Sequence, residues 1–167
     1  MILRVYIAAP KAEIRRARRV AAILRAISGV EVVSTWHRTM APGAQDPESD
    51  TVARRILDTN LRDLRAAHIL VALPCAGVGA ETYAEIGRAL ERKIHVVISK
   101  QHGGLPLSRV DAFATCVGSD PEAVALVREI AAGEGEAEKS PPIRLVRKRG
   151  AHPLLVRDFG GGGGRSA

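Results

Sequence analysis

The hydrophobic positions of this chain change period repeatedly, and each change marks an element. Ile2 to Ala9 alternates and then turns wholly apolar, the pattern of a first central strand, which Pro10 ends. From Lys11 to Ser28 the apolar residues Ile14, Ala17, Ala21, Leu24 and Ile27 fall at helical spacing, and Gly29 stops the helix. Val30 to Thr35 is expected to form a second strand. Trp36 to Ser49 holds two prolines, a glycine and few apolar residues, so a loop is expected. Asp50 resembles an N-cap for a helix reaching about Ala67, with Val52, Ile56, Leu57, Leu61 and Leu64 inward. His68 to Leu73 is a short apolar run closed by a Pro/Gly turn, as in a buried parallel strand. The helix after it, to about Arg92, turns Tyr83, Ile86, Gly87 and Leu90 inward. Ile94 to Ser99 is a fourth strand and Asp111 to Val117 a fifth, separated by a loop. Asp120-Pro121-Glu122 then opens a last helix to about Ala132 in capping order.

Strand and helix alternate throughout, which requires βαβ crossovers and a parallel sheet covered on both faces. The expected architecture is α/β: a three-layer sandwich around five parallel strands in the order 2-1-3-4-5. The domain spans 1–133. Residues 134–167 differ in composition, being acidic and small to Lys139, basic from Ser140 to Arg157, and an unbroken glycine run from Gly160 to Gly164. Two apolar runs in this extension, Ile143 to Val146 and Leu154 to Val156, suit either a hairpin or a loosely attached tail.

Composition narrows the function classes. At 167 residues and 46% hydrophobic, the chain can bury a sizeable core. Only 3% is aromatic, which leaves few rings for stacking single-stranded nucleic acid. Cys75 and Cys116 fit a reducing compartment and form no metal-ligand pattern. No apolar stretch is long enough to span a bilayer and no signal peptide is visible, so the cytoplasm is the expected location and no membrane partner is expected. The net charge of +7 comes partly from Arg15, Arg16, Arg18 and Arg19 on one helix and Arg144, Arg147, Lys148 and Arg149 near the end. Solvated helix faces explain such a cluster, as does attraction of a phosphorylated substrate or polyanion.

The most informative chemistry is Glu85. It lies about one turn into a helix that follows a buried strand and a glycine turn, so it sits at the carboxyl end of the sheet, where open α/β folds bind ligands. A carboxylate there can serve as nucleophile or base. A solvated carboxylate complementing the helix dipole is the plain alternative.

Three motifs in order resemble the nucleoside 2-deoxyribosyltransferase superfamily, which includes nucleoside 2'-deoxyribosyltransferases and 2'-deoxynucleoside 5'-phosphate N-hydrolases. Tyr6-Ile7-Ala8-Ala9-Pro10 resembles its Tyr-(Leu/Ile)-Ala-Gly-Pro opening. Thr82-Tyr83-Ala84-Glu85-Ile86-Gly87-Arg88-Ala89 resembles Gly-Thr-x-x-Glu-(Ile/Leu)-Gly-x-Ala. Ser34-Thr35-Trp36 is similar to a Ser-x-Trp of some branches. The resemblance runs from about Arg4 to Ile130 and implies a Rossmann-like or flavodoxin-like sandwich. It also implies that Glu85 attacks the anomeric carbon of a (deoxy)nucleoside or its 5'-monophosphate, the glycosyl-enzyme being resolved by a second base or by water.

By the same resemblance Glu81 is a rival, since Gly77-Val78-Gly79-Ala80-Glu81 is similar to Gly-Val-Gly-Tyr-Glu of the hydrolases. Asn60 stands where the family carries an aspartate that protonates or positions the leaving base, and His68 where an aspartate is usual. An asparagine hydrogen-bonds but is no general acid. Asp63 would substitute only on a rotated helix; His68 can donate a proton or simply pack. The implied catalytic residues are Glu85 and Asn60. The implied substrate contacts are Tyr6, Lys11, Trp36, Gly79, Glu81, Thr82 and Arg88, with Lys11, Arg15 and Arg88 for a phosphate and Trp36 and His37 for a base. No cofactor and no metal is implied. The expected partners are a small nucleoside or nucleotide and further copies of the chain, with nucleic acid not favoured. A non-catalytic nucleotide-binding protein on the same fold is the competing reading, supported by Asn60 and His68.

Overall fold

The wholly apolar second half of the first run becomes the middle of the sheet because each of its faces is covered. In a computed structural model, which describes residues 2–39, 50–76, 79–102 and 113–136, Val5, Tyr6, Ile7 and Ala8 of β1 (Leu3–Ala8) are fully buried. β1 pairs in parallel with β2 (Val30–Val32) on one side and β3 (Ile69–Ala72) on the other. β4 (His95–Ser99) and β5 (Thr115–Val117) complete a five-stranded parallel sheet in the order β2-β1-β3-β4-β5. This is the expected order, with the chain stepping outward from β1 first to β2 on one side and then to β3, β4 and β5 on the other.

A single 3-10 turn, Lys11–Glu13, leads into α1 (Ile14–Arg25), which packs with α5 (Asp120–Glu136) on one face. α3 (Asp50–Ala66) and α4 (Ala80–Glu91) belong to the other face, α3 against β1 and α4 against β1, β3 and β4. The order places the topological switch between β1 and β3, where the chain leaves both strands on opposite sides of the sheet.

Several expectations need correction. β2 ends at Val32 rather than Thr35, because side chains take over its pairing. The Ile7 N–H donates to Ser34 Oγ at 3.1 Å, and Trp36 Nε1 donates to the Ile7 carbonyl at 2.8 Å. The segment after it starts as a short helix, α2 (Trp36–Thr39), not a loop; residues 40–49 lie outside the described residues. On α4 the buried residues are Thr82, Ile86 and Ala89, whereas Gly87 is exposed. On α3 Leu64 is buried but Val52 and Leu57 are exposed, so its apolar stripe is wider than the core it covers.

Arg16 is the largest departure. It is 2% exposed rather than part of a solvated stripe. Its guanidinium donates to both carboxylate oxygens of Asp120, at 2.8 and 2.7 Å, and to the Pro74 carbonyl at 3.0 Å. Ser99 Oγ accepts from Arg16 at 3.2 Å and donates to Asp120 at 2.6 Å. One buried cation therefore ties α1, the end of β3, the end of β4 and the start of α5 together. The two apolar runs of the C-terminal extension, its basic residues and the start of the fifth expected strand at Asp111 lie outside the described residues.

Candidate active site

Glu81, Glu85 and Arg88 are spaced i, i+4 and i+7 on α4 and so share one face. That face meets the α3 side of a cavity of about 400 Å³, within the range of small-molecule sites. Two local features aim α4 at this place. Gly79, the residue before the helix, has φ +118°, a conformation that side chains disfavour, and a Cβ there would lie 2.9 Å from the Pro10 ring. The turn after β3 is thus pressed against the proline that ends β1. The buried Thr82, Ile86 and Ala89 then fix the helix rotation.

At the bottom of the site Tyr6 donates a 2.6 Å hydrogen bond to Glu85 Oε1. The pair is largely withdrawn from water, and burial pushes the Glu85 carboxyl up. The Tyr6 hydrogen bond works against that rise and the nearby Glu81 charge adds to it, leaving the group at about 7. Burial, and next the Glu85 charge, push the Tyr6 phenol far above its ordinary range, so it keeps its proton and donates it. A carboxyl poised near neutrality in a cavity is the electrostatic signature of a working acid, base or nucleophile.

Of the residues expected from sequence, Lys11, Trp36, Asn60, Glu81, Glu85 and Arg88 line this one cavity, and Tyr6 holds Glu85 from beneath. Gly79 and Thr82 do not line it. Gly79 shapes the turn, and Thr82 is 2% exposed with its hydroxyl unpartnered among the described residues. Arg15 is exposed elsewhere on α1.

His68 precedes β3 at the amino end of the sheet, with its ring against Arg4, Nδ1 3.3 Å from the Arg4 N–H and Nε2 3.2 Å from the guanidinium. It is at the wrong end to serve the cavity. His37 is fully buried beside Trp36 and does not line the cavity either. Burial, then the charges of Arg25, Arg38 and Arg18, lower it to about 4.

Asp63 does not take the place of Asn60. Its Oδ2 accepts from the Thr35 N–H at 3.0 Å and from Thr35 Oγ1 at 2.7 Å, which pins the β2–α2 junction to α3. Ser34, Thr35 and Trp36 therefore act as three consecutive anchors, to Ile7, Asp63 and Ile7 again, and the last presents the indole at the cavity wall. Sequence reasoning missed the apolar wall that α3 adds with Ala53, Ile56, Leu57, Leu61 and Leu64, and the contributions of Ala9 and Ala84. A cavity wall and a core face call for the same apolar residues, so no pattern separates them; the width of the stripe was the available signal.

No family model and no curated protein matches this chain. Among the described residues no helix is long and apolar enough to cross a membrane.

Proposed function

We propose that this protein cleaves or exchanges the N-glycosidic bond of a (deoxy)nucleoside or nucleoside 5'-monophosphate, with Glu85 as nucleophile. The observation that carries this reading is the Tyr6–Glu85 pair at the bottom of the cavity. The hydrogen bond fixes one carboxylate oxygen and leaves the other for attack. Attack on C1' forms a glycosyl ester while the C1'–N bond breaks and its electron pair departs with the base. A carboxylate also stabilises the positive charge that builds on the sugar carbon. Water or a second base then attacks C1' and restores the carboxylate.

Glu85 is preferred to Glu81 because it is oriented by Tyr6 and shielded, whereas Glu81 is exposed. In this reading Lys11 and Arg88 take a phosphate oxygen, Trp36 the base, and Asn60 a hydrogen bond to base or sugar; all four line the cavity. The motif resemblance supports the same assignment, and with it a homo-oligomer.

The test is release of free base from a panel of nucleosides and monophosphates, followed by chromatography. Glu85→Gln is expected to lower release by about 10³-fold or more. Intact-mass analysis of quenched reactions should show a sugar adduct on wild type alone. Asn60 in place of an acid favours a second reading, a nucleotide-binding protein without turnover. Ligand-induced thermal shifts with no base released from any compound would establish that one instead.

A further inference from the structure

The glycosidic reading leaves open how the departing base is accommodated, and the cavity answers through the groups that carry protons. A neutral purine or pyrimidine leaves as an anion unless an acid protonates it during bond breaking. Among the described residues, the polar group of α3 that lines the cavity is the Asn60 amide, which hydrogen-bonds but transfers no proton. Three residues later the Asp63 carboxylate is taken by two hydrogen bonds to Thr35. The Tyr6 hydroxyl is spent on Glu85. Lys11 and Arg88, the basic residues of the lining, suit a phosphate. Glu81 is exposed and adds negative charge beside Glu85, which suits a cationic base.

We propose that the site takes nucleosides or nucleotides whose base already bears a positive charge, such as an N7-alkylated purine or a pyridinium. Such a base needs no acid. As Glu85 attacks C1', the C1'–N bond breaks, its electron pair neutralises the ring nitrogen, and the base leaves uncharged. Water then attacks C1' of the ester, releasing the sugar, one proton and the free carboxylate. The neutral amide of Asn60 is suited to orient such a base, and the apolar α3 wall to receive the neutral product.

This inference rests on Glu85 acting at C1', and the test separates the two. The full chain is incubated with 2'-deoxyguanosine 5'-monophosphate and with its N7-methyl derivative, with nicotinamide mononucleotide as a second cationic probe. Free base is measured against reactions without enzyme and with Glu85→Gln. The expected result is a rate enhancement over the spontaneous reaction at least about 10²-fold larger for a cationic probe than for the unmethylated nucleotide. With nicotinamide mononucleotide, whose ring charge does not titrate, the pH profile should rise once, through about 7, and stay level above it. Asn60→Asp should raise release from the unmethylated nucleotide by about 10²-fold. Equal or greater enhancement of the unmethylated nucleotide, or a nicotinamide mononucleotide profile that falls on the alkaline side, overturns the inference and leaves glycosidic cleavage standing. No Glu85-dependent release from any of the three probes, with release from other nucleosides, also overturns it. No release from any nucleoside removes both.

Discussion

Tyr6 and Glu85 come from elements 79 positions apart, and each controls the charge of the other. The phenol donates to the carboxylate and so stabilises its ionised form, opposing the desolvation that raises it. Tyr6→Phe removes only that donor. The Glu85 carboxyl should then titrate above its present value of about 7, moving the acid limb of the base-release profile to higher pH. At pH 7 the rate should drop roughly tenfold, the equivalent of one hydrogen bond to a charged group. An unmoved limb with a uniformly lowered rate would mean that Tyr6 only packs. At this scale the sequence was legible where spacing along one helix decided the matter, as for Glu81, Glu85 and Arg88. It was not legible where a side chain's partner lies far along the chain. Nothing local distinguishes the buried Arg16 from the exposed Arg15 beside it, and nothing local tells that Asp63 is committed to Thr35.

Elements were predicted well where an apolar run had punctuation on both sides, and less well where a side chain replaced backbone. β1 and β3 are bounded by Pro10 and by the glycine turn, and they form with the expected neighbours. β2 stops early because Ser34 and Trp36 supply Ile7 with the donor and acceptor that a longer strand would have given. The Arg16 network is the other long-range device, and it links four elements through one buried cation. Burial alone would raise the Asp120 carboxyl, but hydrogen bonds from Arg16 and Ser99 outweigh it and hold the group below its usual range. A carboxylate lowered in this way contributes stability above its unfolded pKa and loses it as pH falls. Asp120→Asn leaves the Arg16 cation buried, with Glu13 at 3.7 Å as a distant counter-charge. The expected cost is about 3 kcal/mol in denaturant unfolding at pH 7, shrinking as the pH is lowered towards 3. Replacing both residues by apolar ones should recover most of the loss. A loss that stays constant with pH would show that the Asp120 charge is not what stabilises the junction.

For the whole molecule, two buried groups act on stability in opposite directions over one pH range. His37 titrates near its ordinary 6.5 when unfolded and at about 4 when folded. Between these values the unfolded chain binds more protons, so stability rises with pH. The half-buried His95, lowered by burial, acts in the same sense. Glu85 titrates near 4.5 when unfolded and at about 7 when folded, so over nearly the same interval the native state holds the extra proton and stability falls with pH. The wild-type curve should therefore be nearly level from pH 4.5 to 6.5, with opposite slopes concealed beneath it. Glu85→Gln removes the falling contribution, and its stability should climb with pH at up to roughly 1.4 kcal/mol per pH unit. His37→Leu removes a buried ring whose two nitrogens have no partner among the described residues, and should cost little at neutral pH. With that ring gone the Glu85 contribution dominates, and stability should decline between pH 4.5 and 7. Urea titrations of the three proteins across this range decide the matter, since both variants sloping the same way would contradict it. The opposed slopes also assign a price to function: a carboxyl held near 7 weakens the native state at the very pH where its ionised form is needed for attack.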